Sequence, residues 1–189
     1  QSNLVDTNST IRGLSVCIHP NFSSESLSND LAVVWLERSA PPVITRFELY
    51  RGADEIGSTF VAAGFGLTGF GLEGTNQTTG APVNLSSGTN KFDAYVEELS
   101  AVLGDYSGWL SSTSDRLIAD FDSGQYKNDA LGRFLNLSDF FSVQNSEAMI
   151  APGDSGGPAF IDGKVAGVAS LVSRIETPWI SPDVDGLIN

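Results

Sequence analysis

Cysteine and histidine each occur once in this 189-residue chain, as Cys17 and His19. A lone cysteine can form no intrachain disulfide, so cystine content carries no information about compartment. Cys17 stands in the apolar run Leu14-Ser-Val-Cys-Ile18, which predicts a buried structural thiol. Positive charge is sparse too: 10 Lys and Arg face 23 Asp and Glu, a formal net charge of −13. That excess argues against nucleic acid and against anionic membrane surfaces as partners, and no basic run counters it. Long apolar runs are missing. Nothing approaches the ~18 residues of a membrane span, and no signal peptide opens the sequence. No cofactor or metal is predicted. Asp120-Phe-Asp122-Ser-Gly124 begins like a calcium loop but has Leu131 where the EF-hand spacing requires glutamate. Gly64-Phe-Gly66-Leu-Thr-Gly69 formally fits a dinucleotide fingerprint, yet loop composition comes next where a helix would have to begin.

Glycine is plentiful, and its densest run is Gly153-Asp154-Ser155-Gly156-Gly157-Pro158, between Met149-Ile150-Ala151-Pro152 and Ala159-Phe160-Ile161. A serine so flanked can have backbone N–H groups on both sides of its hydroxyl, because glycine adopts the dihedrals a tight anion-binding loop demands. Such a loop suits acyl transfer. Gly-x-Ser-x-Gly also fits the nucleophile elbow of the α/β-hydrolases, which needs a helix straight after the serine and a histidine later in the chain. Neither is found after Ser155. The chain continues instead as two apolar runs joined by Asp162-Gly163, a β-hairpin signal. Ser155 is therefore placed on a β scaffold.

Gly-Asp-Ser-Gly-Gly-Pro succeeded by such a hairpin resembles the trypsin/chymotrypsin-like serine peptidases. A second block agrees: His19-Pro20-Asn21-Phe22, then Asn29-Asp30-Leu31-Ala32-Val33-Val34-Trp35-Leu36, is similar to the segment that carries this family's triad aspartate. Phe60-Val-Ala-Ala-Gly64-Phe-Gly66 resembles the strand opening the family's second barrel. The matches run from about residue 11 to about residue 175. The resemblance implies an all-β, two-barrel architecture with the first barrel incomplete. Residues 1–50 would be the remnant of the first barrel and 51–189 the second.

Along the chain, strands are expected over Ile11 to Ile18, Leu31 to Leu36, Ser58 to Phe65 and Arg116 to Asp122. Residues 1–10 read as an arm, and 37–55 as the crossing between barrels, with Val43 to Tyr50 extended. Lys91 to Leu99 fits both a strand and a helical face, and strand is preferred because the resembled barrel needs one there. Residues 72–90 and 100–115 read as surface-loop insertions. Asn-x-Ser/Thr sequons begin at Asn8, Asn21, Asn76, Asn84 and Asn136.

The resemblance also implies roles. Ser155 would be the nucleophile, Asp30 the orienting carboxylate, and the N–H groups of Gly153 and Ser155 the oxyanion hole. Asp154 would pair with an amino terminus freed by activation. Ser170, Leu171 and Val172 would line the substrate channel, and Met149 the pocket floor. With Met149 where a trypsin has aspartate, a basic side chain would meet no countercharge, and Val172 would narrow the entrance; small or medium neutral side chains are predicted. His19 has the right order before Asp30 and Ser155 but matches the family's structural His-Pro-x-Phe strand end. The catalytic imidazole is thus expected from a segment preceding this chain. The reading is a serine endopeptidase acting through an acyl-enzyme, secreted or periplasmic, present here as its carboxyl-terminal part and taking protein or peptide substrates. The alternative is an inactive homologue that binds peptides through the same cleft.

Overall fold

The structure, a computed structural model, describes residues 10–70, 74–75, 84–104, 116–121, 129–137, 147–173 and 187–188. Strands β1 (Gly13–Ile18), β2 (Ala32–Leu36), β3 (Thr59–Gly64), β4 (Gly69–Phe70), β5 (Gly74–Thr75), β6 (Ser86–Lys91) and β7 (Ala94–Tyr95) lead to helix α1 (Val96–Leu103). Then come β8 (Leu117–Ile118), helix α2 (Ala130–Leu135), β9 (Pro158–Ile161), β10 (Lys164–Val168), β11 (Val172–Ser173) and β12 (Leu187–Ile188). The expected all-β class holds: strands dominate, and the described helices have eight and six residues. Among the described residues no helix is long and apolar enough to cross a membrane.

The Asp162-Gly163 hairpin forms between β9 and β10, pairing Ile161 with Lys164. Asp162 and Gly163 have φ of 50° and 72°, the left-handed pair that a two-residue turn of matching twist requires. This hairpin sits in an antiparallel four-stranded sheet of order β10-β9-β3-β6. Phe60 of β3 is buried and stacks on Phe92 at a centroid distance of 4.1 Å. Together with Ala119 and Ile161 they form one apolar cluster. Ala94, Val96, Leu99, Ile118 and Leu131 form the other.

Two expectations fail between residues 72 and 99. Lys91 to Leu99 is not one strand: β6 ends at Lys91, β7 takes Ala94 and Tyr95, and α1 begins at Val96. The helical face prevails because Val96 and Leu99 bury side by side while Glu97 and Glu98 fall in the first turn, where the helix dipole favours carboxylates. The Tyr95 N–H donates to Glu98 Oε2 at 2.9 Å, which closes the helix start. The expected insertion at 72–90 also contains β6, which pairs residue for residue with β3 from Thr59↔Lys91 to Gly64↔Ser86. Arg116 to Asp122 forms a shorter strand than expected, and Asp122 lies outside the described residues. So do residues 1–9, most of the predicted arm.

Strands β1 and β2 pair antiparallel as a separate two-stranded sheet, regular from Ser15↔Trp35 to Ile18↔Ala32 and shifted by one residue between Gly13 and Ser15. Their sequences show no alternation: Val16, Cys17, Ile18, Val33, Val34 and Trp35 give both faces apolar side chains. Every residue of both strands is exposed, Trp35 by 70% and Val33 by 66%. Cys17 is accordingly exposed, not buried as expected, because no described element covers either face of the strand that carries it.

Buried polar groups concentrate between the two clusters. Asn90, fully buried, donates through Nδ2 to the Asp120 carbonyl at 2.7 Å and the Ala148 carbonyl at 3.2 Å, and its Oδ1 accepts from Lys91 N at 2.6 Å. Asp93 pairs with Lys91 at 3.3 Å. Burial pushes the Asp93 carboxyl upward, and the Lys91 ammonium opposes that shift. Asp129 caps α2 by accepting from Gly132 N at 2.6 Å, while its Oδ2 is buried with no hydrogen-bond partner among the described residues. Desolvation raises its pKa, against the Gly132 hydrogen bond. A raised folded-state pKa means that the native chain keeps a proton the unfolded chain has lost. The stability this proton contributes is present below the unfolded value near ~3.9 and disappears as pH climbs through the folded one. Asp129→Asn keeps the cap but has no such proton. Its unfolding free energy relative to wild type should rise from about pH 4 upward and then level off. A difference constant across pH in urea titrations would contradict this account.

Candidate active site

Ser155 occupies a pair of consecutive turns that the sequence itself dictates. The Asp154 N–H donates to the Ala151 carbonyl at 2.9 Å, and the Gly157 N–H to the Asp154 carbonyl at 2.8 Å. The third residue of each turn, Gly153 and Gly156, has φ of 102° and 83°. Turns of this sort require positive φ at that position and favour proline just before it, which Pro152 supplies in the first. Ser155 thereby stands at the exposed corner of the second turn.

The turn is fastened on two sides. Gly156 N donates to the Ala169 carbonyl at 2.7 Å and Ala169 N to the Gly157 carbonyl at 2.8 Å, which ties the nucleophile candidate to the segment entering Ser170. On the other side, the Asp154 carboxylate accepts from Gly66 N at 2.7 Å through Oδ1 and from Ala151 N at 2.8 Å through Oδ2. Leu67 N adds a bond to the Pro152 carbonyl at 3.0 Å. A Cβ on Gly64 or Gly66 would overlap the Asp154 carboxylate, and one on Gly153 would come within 3.0 Å of Gly66 Cα. The Gly-x-Gly after β3 is thus a seat for Asp154.

Asp30 approaches from the other part of the chain. The loop from Phe22 to Asp30 is braced by Ser23 N to the Ser28 carbonyl at 3.1 Å, Ser26 Oγ to Ser28 Oγ at 2.8 Å and Asn29 Nδ2 to the Asn21 carbonyl at 3.2 Å. Leu27 and Asn29 take φ of 53° and 55°, a left-handed conformation that costs a leucine more than an asparagine. The Leu31 N–H then closes on the Asn29 carbonyl at 2.7 Å, so the chain turns at Asp30. Ser170 Oγ donates to Asp30 Oδ2 at 2.7 Å, and the Ser170 carbonyl lies 3.5 Å from Ser155 Oγ. One serine therefore touches both.

The remaining sequence-derived positions are scattered. Met149 and Leu171 are half-buried, and Val172 is exposed in β11, opposite Ile188. A cavity of about 540 Å³ opens beside Asp30 and Ser170, lined also by His19, Phe60, Phe92 and Ile150, but it includes neither Met149 nor Val172. The His19 Nδ1 accepts from Asn21 N at 3.2 Å, and the His19 backbone N–H donates to the Leu31 carbonyl at 2.9 Å. The ring is held in its own turn. Sequence reasoning missed the amides of Gly66 and Ala151 as partners of Asp154, although Gly64-x-Gly66 was visible as a pattern. Among the described residues no group of three or more His, Cys, Asp or Glu could hold a metal ion.

This is the fold of the trypsin-like serine proteases. Among solved structures, neuropsin, a serine protease expressed in the limbic system of mouse brain, superposes with a TM-score of 0.60 at 18% identity, over 95% of this chain. The chain spans 66% of the neuropsin chain. No protein-family model matches the sequence, and no curated protein matches it.

The seat of Asp154 can be checked by volume. Gly64→Ala drives a Cβ into the carboxylate and should destabilise the chain by about 1–3 kcal/mol. Gly167→Ala, whose Cβ would meet Ala159 Cβ and Phe92 Cζ at ordinary distances of 3.7 and 3.9 Å, should change stability by less than about 0.5 kcal/mol. Equal denaturation midpoints for the two variants would refute the packing argument.

Proposed function

We propose that this chain is the larger, carboxyl-terminal part of a serine endopeptidase. The observation that supports this reading most is the Ser170 junction. Asp30 and Ser170, 140 residues apart in sequence, share a 2.7 Å hydrogen bond whose serine also presents its carbonyl to Ser155. In this reading Ser155 Oγ attacks the peptide carbonyl and an imidazole takes its proton. Asp30 holds that imidazole in orientation, and the N–H groups of Gly153 and Ser155 receive the developing oxyanion. The imidazole returns the proton to the leaving amine, and water then cleaves the acyl-enzyme.

His19 is the single histidine of the sequence and is engaged in its own turn, so this reading takes the imidazole from a segment upstream. The exposed β1 and β2 strands support that assignment: the pair has an apolar face that could turn into a barrel interior, and among the described residues nothing covers it. The upstream segment would complete that barrel around residues 1–50, with 51–189 forming the second. Met149 and Val172 would favour small or medium neutral side chains in the substrate, and the enzyme would work in a secreted or periplasmic setting. Without the upstream imidazole, turnover should fall by on the order of 10⁶. One observation favours a second reading, an inactive homologue that binds peptides: no described imidazole is bonded to Asp30 or Ser155.

Fluorophosphonate treatment of the full-length protein decides between them. The enzyme should be labelled at Ser155 and Ser155→Ala should not, while Asp30→Asn should lose roughly 10⁴ in turnover. Peptides with neutral side chains should be cleaved in preference to those with arginine. An unlabelled full-length protein that still binds peptides would establish the second reading.

A further inference from the structure

Asparagine side chains in this fold divide by what holds them. Asn29 is half-buried and Asn90 fully buried, and both amides are committed. Asn29 Nδ2 donates to the Asn21 carbonyl at 3.2 Å, and Asn90 Nδ2 to the Asp120 and Ala148 carbonyls at 2.7 and 3.2 Å. Neither has a serine or threonine two residues on. Asn21 and Asn84 are exposed, and their side-chain amides donate to nothing among the described residues. Each opens an Asn-x-Ser triplet without proline, Asn21-Phe22-Ser23 and Asn84-Leu85-Ser86. Asn136 opens a third, but Ser138 lies outside the described residues.

We infer that Asn21 and Asn84 carry N-linked oligosaccharides, the second of which guards the open edge of the central sheet. The donor is a sugar chain on a polyprenyl diphosphate. Asparagine Nδ2 bonds to the anomeric carbon, the bond from that carbon to the diphosphate oxygen breaks, and the lipid diphosphate leaves with the proton that Nδ2 gives up. A folded chain accommodates such a group only where the carrying nitrogen faces solvent and has no bond to lose, because a bulky hydrated sugar cannot enter a packed interior. Asn21 and Asn84 meet that condition; Asn29 and Asn90 do not. The hydroxyl that completes each triplet is also in place: Ser86 is exposed, and Ser23 Oγ only accepts, from Ser26 N at 3.3 Å. Asn84 leads into β6, the outermost strand of the order β10-β9-β3-β6. Beyond β6, Thr89 is bridged to Glu147, and no described residue pairs with Ser86 to Gly88 on that side. An open strand edge invites pairing with another chain, and charge or bulk beside it prevents this. The single charge of β6, Lys91, stands at its far end. A glycan at Asn84 supplies the bulk at the near one.

The test begins with full-length protein taken from the cells that make it. Its peptides are weighed with and without prior treatment by peptide N-glycosidase, which turns each sugar-bearing asparagine into aspartate. Asn21 and Asn84 should appear as glycopeptides before treatment and as aspartate after it, with Asn29 and Asn90 plain asparagine throughout. In full-length protein secreted from glycosylating cells, Asn21→Gln and Asn84→Gln should each lose one glycan. Ser23→Ala and Ser86→Ala should lose the same ones although the asparagines remain, and Ser86→Thr should keep its glycan. Sedimentation reads the edge: Asn84→Gln and Ser86→Ala should form larger species at concentrations where the parent and Ser86→Thr do not. Glycopeptides with unchanged sedimentation overturn the guarding role and leave the two sites standing. Plain asparagine at both positions in the source protein overturns the inference whole. Neither result bears on Ser155, whose reactivity is read separately by the fluorophosphonate.

Discussion

Ser170 is the joint on which the arrangement turns. It lies between two of the described sheets, which share no strand: the β1–β2 pair, which delivers Asp30, and the β10-β9-β3-β6 sheet, from whose end the Ser155 turn projects. The Ser170 hydroxyl reaches the first at 2.7 Å and its carbonyl faces the second at 3.5 Å. An exposed hydrogen bond of this kind contributes only about 0.5–1.5 kcal/mol of stability. It fixes position far more than it fixes fold. What makes the position meaningful is the rigidity on either side, and each side obtains it by different means. The Ser155 turn is locked by main-chain bonds and a carboxylate staple. The Asp30 loop is locked by two serine hydroxyls bonded to each other, by Ser23 Oγ accepting from Ser26 N and by the Asn29 amide donating to the Asn21 carbonyl, as short polar side chains do in turns.

Legibility in the sequence obeyed the same division. The Asp162-Gly163 hairpin and the glycine turns could be read because they need particular residues at particular dihedrals, and few other residues satisfy them. The Leu31 to Leu36 run could be read because its apolar residues are dense. What could not be read was partnership. β6 is Ser-Ser-Gly-Thr-Asn-Lys, with no apolar alternation at all. It is a strand because its backbone pairs with β3, and because Gly88 lets Ala148 press against it: a Cβ there would collide with the alanine's. The start of α1 was visible as one of two periods, but the choice depended on Leu131 and Ile118 arriving to bury one face of it. α2 was missed, although Asp129 ahead of Ala130 and Leu131 is a capping signal and Asn136, at φ 56°, a left-handed stop. Cys17 was misjudged for the opposite reason: an apolar run says that burial is sought, and it does not say by what.

Between the cores and the site, Asn90 is the residue that transmits order. Its amide bridges the carbonyls of Asp120 and Ala148, and Ala148 N returns a bond to the Thr89 carbonyl at 2.9 Å. β6 therefore grips Glu147 and Ala148 shortly before the chain enters the Pro152 turn. A buried amide with both of its donors and its oxygen engaged is worth more for specificity than for stability, since a shifted register would leave it unpaired at a cost of about 1–3 kcal/mol. The nucleophile candidate thus inherits its placement from a polar contact in the interior. The β1–β2 pair inherits nothing comparable. It has main-chain pairing, an apolar surface on each face and no buried polar anchor of its own strands. Coverage by the proposed upstream segment would supply the hydrophobic burial that an isolated two-stranded sheet lacks in water. The same coverage would exclude water from the side of the site where Asp30 is now exposed. A carboxylate in a drier setting interacts more strongly with an adjacent imidazolium, so one and the same contact would complete the barrel and strengthen the orienting charge.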